Sequence, residues 1–164
     1  MKKYPVIIGR FEHIDIVGKL DEIPAKIDTG AYRSAIHVSD QAIIEKNGKE
    51  YLKFTLGNHP SFPKKRTLYT RSFQQLEVTS SSGHKIKRYE VQLKIRMGYK
   101  IFRTSFTLAN REHHVFPILV GRKALRGRFV IDVTRSGVSR KELKTATLEL
   151  IKKGDQEYLE ELEK

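Results

Sequence analysis

The chain has no cysteine and no tryptophan, and among its 164 residues only five prolines and two methionines. Without cysteine it can form no disulfide and no thiolate zinc site, and it has no thiol nucleophile. Nothing in it points to an oxidising compartment. Long hydrophobic runs are also missing. A membrane helix needs roughly 20 consecutive apolar residues, and no stretch here approaches that. The start, Met1-Lys2-Lys3-Tyr4-Pro5-Val6-Ile7-Ile8, is basic, but its apolar run is too short for a secretory leader. These absences predict a soluble, cytoplasmic protein with no membrane partner.

Acidic residues are the other shortage. Asp and Glu number 19 against 32 Lys and Arg, a net charge of +13. The deficit is uneven, because Asp155–Lys164 holds five acids and one base, leaving residues 1–154 with 31 bases and 14 acids. A body of +17 favours acidic partners: nucleic acid, an anionic surface or an acidic polypeptide. The length predicts one domain with a sizeable core.

What is present is β-pattern. Val6-Ile7-Ile8 and His13–Val17 read as strands, the second with period-two alternation. Ile23–Asp28 is a third, Ser34-Ala35-Ile36 a fourth, and Val38–Ile44 is ambiguous. Asn47-Gly48 signals a turn before Tyr51–Leu56. Gly57–Lys65, with two prolines, reads as a loop. Leu68–Val78 and His84–Arg96 flank a tip at Ser80-Ser81-Ser82-Gly83, and Gly98-Tyr99 turns the chain into Ile101–Leu108. Val115–Val120 is a short apolar strand. Gly121–Gly127 is one helical turn closed by glycine, and Phe129–Val133 is the last strand. Ser139-x-x-Glu142 opens a helix as a capping box; Leu143, Ala146, Leu150 and Ile151 fall on one face of it. The chain divides into a β domain over 1–138 and a helical extension over 139–164.

The chemistry centres on Ala25-Lys26-Ile27-Asp28-Thr29-Gly30-Ala31. Asp28 sits on a loop between two buried strands, where a carboxylate is costly unless it has a task or a partner. Thr29 supplies a hydroxyl, and Gly30 lets backbone or substrate approach closely. Asp-Thr-Gly is also an ordinary turn sequence.

Asp28-Thr29-Gly30-Ala31 between hydrophobic strands resembles the catalytic loop of aspartic peptidases, the retropepsins in particular. Pro117-Ile118-Leu119-Val120-Gly121-Arg122 resembles the strand-Gly-Arg turn that follows it in that family. More narrowly, the chain is similar to the bacterial and archaeal retropepsin-like family once labelled "ATP-dependent zinc protease" and linked to RimK-type, ATP-grasp glutamate ligases. Ser34-Ala35-Ile36-His37, Ser81-Ser82-Gly83-His84 and Gly127–Asp132 also carry this likeness. It implies an all-β, retropepsin-like acid-protease barrel, with a short helix after the Gly-Arg turn and a C-terminal helix. It further implies catalysis by Asp28, Thr29 and Gly30, substrate contact from Ala31 and a flap tip of Ser80, Ser81, Ser82 and Gly83, and structural support from Gly121 and Arg122.

Neither zinc nor ATP in the old label finds its residues. There is no His-Glu-x-x-His and no Gly-rich loop ending in Gly-Lys-Ser/Thr; Glu112-His113-His114 lies in a loop, and His37, His59 and His84 stand isolated. No metal and no cofactor are expected. Aspartic peptidases place two carboxylates on one water. A single Asp-Thr-Gly therefore implies a homodimer with one Asp28 from each protomer, or pairing with a second carboxylate of the same chain, for which Asp132 is the candidate. Glutamate-tailed polypeptides are the acidic substrate that the ligase link suggests. Two rivals stand beside the peptidase. One is a basic β domain for single-stranded nucleic acid, using Lys85, Lys87, Arg88, Lys94, Arg96, Lys100 and Arg103 with Tyr89, Tyr99 and Phe102; Asp28 would be idle in it. The other is a non-catalytic peptide-binding module.

Overall fold

The computed structural model describes residues 4–80 and 82–162, with side chains of the last helix described through Lys153. The expected all-β fold is found, with one helical turn after Gly121 and a helix near the C-terminus. The strands are β1 (Val6–Ile8), β2 (Phe11–Ile16), β3 (Leu20–Ile27), β4 (Ser34–Lys46), β5 (Lys49–His59), β6 (Phe62–Thr70), β7 (Phe73–Thr79), β8 (Lys85–Met97), β9 (Lys100–Ala109), β10 (Ile118–Val120) and β11 (Phe129–Ile131). The helices are α1 (Arg122–Leu125) and α2 (Arg140–Leu162).

Nine strands form one sheet in the order β10-β3-β2-β8-β9-β4-β5-β6, with β7 paired to β8; β1 and β11 make a separate parallel pair. Alternation writes the core directly. Along β8, Val91, Leu93, Ile95 and Met97 are buried while Gln92, Lys94 and Arg96 face out, the period-two pattern of a half-covered strand. Ile14, Ile23, Ile36, Phe54, Phe106 and Ile118, from six other strands of the sheet, are fully enclosed. Each contributes about 1.5–3 kcal/mol by leaving water.

Two parallel crossings position the site. β10 lies parallel to β3, with Ile118 opposite Ala25 and Val120 opposite Ile27. β4 lies parallel to β9, with Ser34 opposite Phe106. β10 also pairs antiparallel with the start of β4. The chain thus leaves β3 at Asp28 and leaves β10 at Gly121 at the same level of the sheet.

Several expected boundaries differ. Gly57–Lys65 is not a loop. β5 continues to His59 and turns at Pro60-Ser61 into β6. The prolines are tolerated because Pro60 lies in the turn and Pro63 on a strand at the sheet edge. Gly57 and Asn58 have φ of 75° and 51° at a bulge. The ambiguous Val38–Ile44 belongs to the long β4. Leu68–Val78 is broken at Arg71-Ser72, where the chain passes from pairing with β5 to pairing with β8. Only Ile118–Val120 of the Val115 run is strand, and Val133 lies beyond β11 with 68% of its surface exposed.

Ser139 caps α2 by accepting from the Glu142 N–H at 3.1 Å. The Glu142 carboxylate does not return to complete the box; it meets His13 Nε2 at 3.0 Å, tying the helix to β2. Lys153 adds a second tie by donating to Glu112 at 2.8 Å. Ala146 is buried, but Ile151 is 54% exposed. No helix is long and apolar enough to cross a membrane among the described residues.

Candidate active site

Asp28 leaves β3 with its N–H donating to the Val120 carbonyl at 2.9 Å. Its carboxylate accepts from the Gly30 N–H at 3.0 Å. That bond turns the carboxylate back over its own loop, and a Cβ on Gly30 would press on the same oxygen at 3.2 Å. Asp28 is half-buried, while Thr29 and Gly30 are exposed. With one donor among the described residues and backbone open to solvent beside it, the Asp28 carboxylate is accessible to an incoming molecule.

The Gly121-Arg122 turn holds this loop from behind. Arg122 N–H donates to the Ala31 carbonyl at 2.8 Å and Lys123 N–H to the Tyr32 carbonyl at 3.0 Å. The Arg122 guanidinium donates to the Thr29 carbonyl at 3.0 Å. Gly121 N–H donates to the buried Ser34 hydroxyl at 3.0 Å. Any Cβ at Gly121 would lie 2.5 Å from the Arg33 carbonyl oxygen, so glycine is required by close packing, not by backbone angle.

The β7–β8 hairpin ends in a closed tip. Ser80 N–H donates to the His84 carbonyl at 2.8 Å, Gly83 N–H to the Ser80 carbonyl at 2.9 Å, and the Ser80 and Ser82 hydroxyls meet at 2.9 Å. Gly83 takes a φ of 83°. Ser81 lies outside the described residues. The tip bonds only to itself among the described residues, whereas the hairpin's base is tied to the Asp28 loop. Glu90 of β8 is buried; it accepts from Arg33 Nη1 at 2.9 Å and from the Gln74 side chain of β7 at 2.6 Å.

Asp132 caps a turn: its carboxylate accepts from the Thr134 hydroxyl at 2.6 Å and the Thr134 N–H at 2.9 Å. The hydroxyl and then the N–H hold its pKa below the usual carboxylate range.

The histidines correct one expectation. His37 and His59 are not isolated; both are 2% exposed and their rings meet edge-on at 5.0 Å. His37 Nδ1 accepts from the Arg111 N–H at 2.8 Å, His59 Nε2 donates to the Arg111 carbonyl at 2.8 Å, and His59 Nδ1 accepts from Ser61 N–H at 3.0 Å. Burial first, then His59, lowers the His37 pKa to about 4, and burial lowers that of His59. Among the described buried side-chain nitrogens and oxygens, only His37 Nε2 is left without a partner. One free imidazole nitrogen does not make a zinc site, and no group of three ligand-type side chains converges among the described residues. The donor set does not fit the metal of the old family label.

Arg111 was not singled out by sequence. It lies in the loop between β9 and β10, is 9% exposed, and donates from Nε to the Phe116 carbonyl at 3.0 Å. Sequence does not single out Arg33 or Glu90 either, and it marks Ser34 as the start of a strand and part of the family likeness, not as the acceptor for Gly121. No sequence signal marks Glu90: alternation along β8 puts it in phase with the outward Gln92, Lys94 and Arg96, and only the fold buries it against Arg33 and Gln74.

A family model described as RimB-like, retropepsin-like aspartic endopeptidase RimB, matches residues 7–142. A protein named probable alpha-L-glutamate ligase from Desulfotalea psychrophila is 29% identical over 113 residues, covering 67% of this chain and 24% of that protein. One of the same name from Shewanella pealeana is 26% identical over 117 residues, 70% of this chain and 25% of that protein. The chain spans about a quarter of the length of these curated relatives. A crystal structure of a Legionella pneumophila protein of unknown function superposes with a TM-score of 0.66 at 27% identity, over 81% of this chain and 97% of that one.

Proposed function

The chain belongs to the RimB-like family of retropepsin-like aspartic endopeptidases, and from that membership we propose that it hydrolyses peptide bonds in glutamate-rich polypeptides, with two Asp28 side chains of a homodimer activating one water. The observation that carries this reading is the Asp28 loop itself. Its carboxylate is oriented by Gly30, its backbone is braced by Arg122, and Thr29 and Gly30 remain open to a visitor.

Two carboxylates brought together by a two-fold axis cannot both ionise, so they share one proton. The ionised Asp28 takes a proton from a water molecule as the water oxygen attacks the peptide carbonyl carbon. The protonated Asp28 of the partner subunit gives its proton to the carbonyl oxygen. The tetrahedral diol then collapses, the C–N bond breaks, and a carboxyl proton passes to the leaving amine. The Ser80–Gly83 tip closes over the cleft and excludes water.

Three observations support the dimer and its substrate. Beside the Asp28 loop lies a mostly apolar hollow of about 360 Å³ lined by Thr29, Tyr32, Arg122, Leu125 and Phe129 among others. Tyr32 is half exposed at its rim, a surface suited to a second copy. The +17 body attracts acidic chains. A unit similar to this chain also forms about a quarter of proteins named probable alpha-L-glutamate ligase, which links it to glutamate addition. Against nucleic acid, Phe102 is covered by Phe129 and Arg128, and Tyr89 packs on Phe73. Of Tyr89, Tyr99 and Phe102, Tyr99 alone keeps a fully open face for bases.

The test is incubation of wild type and Asp28→Asn with glutamate-tailed peptides, read by mass spectrometry, alongside sedimentation at the same concentration. Wild type is expected to cleave as a dimer, and the variant to lose at least 1000-fold in rate while still dimerising. Cleavage by Asp28→Asn, or by a strict monomer, overturns the shared-carboxylate mechanism.

A further inference from the structure

The large sheet leaves two strand edges open where they face one another. β6 pairs with β5 on one side and with no strand on the other among the described residues. Such an edge carries a row of backbone N–H and C=O groups without partners. β8 has a shorter gap of the same kind. Its pairing with β7 ends at Val91, opposite Phe73, and its pairing with β2 begins at Ile95, opposite Ile16, with the Lys94 carbonyl accepting from the Val17 N–H at 2.9 Å. Gln92 and Leu93 fall between the two.

Both edges line one groove of about 390 Å³. On β6 the groove touches five residues in a row, Arg66 to Thr70, and on β8 three in a row, Val91 to Leu93. Successive side chains of a strand point to opposite faces, so a space lined by an unbroken run lies along the strand's edge and not on one of its faces. The charged residues of the groove are Lys19, from the turn between β2 and β3, and Arg66. Both are exposed, neither belongs to an ion pair among the described residues, and no acid lines the groove. Lys64 and Lys65, also exposed, extend the cationic run along β6. Lys64 and Arg66 share one face of the strand and Lys65 takes the other.

This pattern narrows the occupant. The β6 edge of a second copy would set like charges against each other, which repels it. An acidic strand meets a cation whichever way its successive side chains point. A nucleic acid carries the charge, but it lacks the alternating N–H and C=O groups that complete an open strand edge. Among the groove's residues only Tyr69 offers it an exposed ring.

We propose that an extended acidic segment of the polypeptide substrate adds as a strand to the β6 edge in this groove, an exosite apart from the Asp28 loop. No residue of the groove lines the hollow beside Asp28. The choice of a glutamate-rich chain rests on the peptidase reading; the open edge and its cations do not. Backbone pairing supplies affinity without regard to sequence, and the lysines and Arg66 select acid. Five residues of β6 span about 17 Å, so a run of about five glutamates fills the edge.

The experiment uses Asp28→Asn protein, so that bound peptide is not consumed. Binding is read by fluorescence anisotropy and backbone amide exchange by NMR. The probes are hexa-glutamate and hexa-glutamine, both acetylated and amidated, hexa-glutamate N-methylated at each residue, and a thymidine hexanucleotide. Hexa-glutamate is expected to bind about tenfold more tightly than hexa-glutamine at low salt. It should slow exchange at alternate residues between 66 and 70, those whose N–H points away from β5. The N-methylated peptide keeps every charge and loses its strand donors, and is expected to bind about tenfold more weakly. Lys19→Gln with Arg66→Gln should cut the glutamate preference by about threefold to tenfold. In enzyme with Asp28 intact, the same pair should raise KM for glutamate-tailed peptide and leave kcat unchanged. Uniform or absent change in β6 exchange, equal binding of the N-methylated peptide, or an unchanged preference in the paired variant overturns the exosite. So does displacement of hexa-glutamate from β6 by the thymidine hexanucleotide at equal concentration. Alternate protection of β6 with no cleavage by wild type overturns the peptidase reading and leaves the groove standing. Cleavage with no protection of β6 does the reverse.

Discussion

Asp28 is one charged atom pair on a tight loop, and what it can do depends on hydrogen bonds that neighbouring strands supply. The Ser34 hydroxyl shows how local this dependence is. It accepts the Gly121 N–H inside the protein, so it joins the start of β4 to the turn that braces Thr29 and Ala31. Ser34→Ala leaves a buried donor with no acceptor, which costs about 1–3 kcal/mol. The expected outcome is a lower urea midpoint with unchanged slope, together with a larger fractional loss of activity, because Arg122 then no longer holds Thr29 in place. Gly121→Ala should be worse. Its methyl meets the Arg33 carbonyl at 2.5 Å, and overpacking against backbone costs about 1–3 kcal/mol while displacing the Asp28 loop directly. An alanine variant as stable as wild type would show that the two loops do not depend on this contact.

At the level of elements, the β7–β8 hairpin and the Asp28 loop are joined through Glu90. Its carboxylate receives Arg33 from the loop and Gln74 from β7. Glu90 is buried while the Arg33 side chain is 39% exposed, so water screens part of the attraction. Glu90→Gln keeps the shape and removes the charge. It is expected to cost about 1–2 kcal/mol, which lowers Tm by roughly 2–8 °C in a chain of this size. Because the hairpin loses its anchor to the Asp28 loop, KM for peptide in the proposed peptidase activity should rise more than kcat falls. Equal KM in the variant and wild type would mean that the hairpin is positioned by its strand pairing alone.

For the whole molecule, acid is the weakness. His37 titrates at about 4 in the folded protein and near 6.5 when unfolded, because burial and then His59 disfavour its charge. Between those values the unfolded chain binds the extra proton, so stability is complete above pH 6.5 and falls as pH drops toward 4. The two pKa values place the loss from His37 at about 3 kcal/mol. His59, also lowered by burial, acts in the same direction. Glu112, lowered first by its bond from Lys153, and Asp132, lowered by Thr134, add losses as pH falls through the carboxylate range. Urea midpoints at pH 7.5, 6 and 5 should therefore decline in order, and activity in acid should be limited by unfolding of the loop that carries Arg111. Identical midpoints at pH 7.5 and 5 would contradict this.

The strand pattern, the Asp28-Thr29-Gly30 loop and the Gly121-Arg122 turn are legible in the sequence alone. Each is written in adjacent residues through two-residue alternation, turn chemistry and close approach by glycine. It misread Gly57–Lys65, because prolines look the same in a loop, at a tight turn and on an edge strand until the neighbouring strands are known. It saw His37 and His59 as separate, since they meet only through the packing of β4, β5 and the loop after β9. Arg111 looked like any surface arginine of a basic chain. That it is buried and pinned, with no ion pair among the described residues, emerges only from the fold, because the surroundings of a charge come from distant parts of the chain.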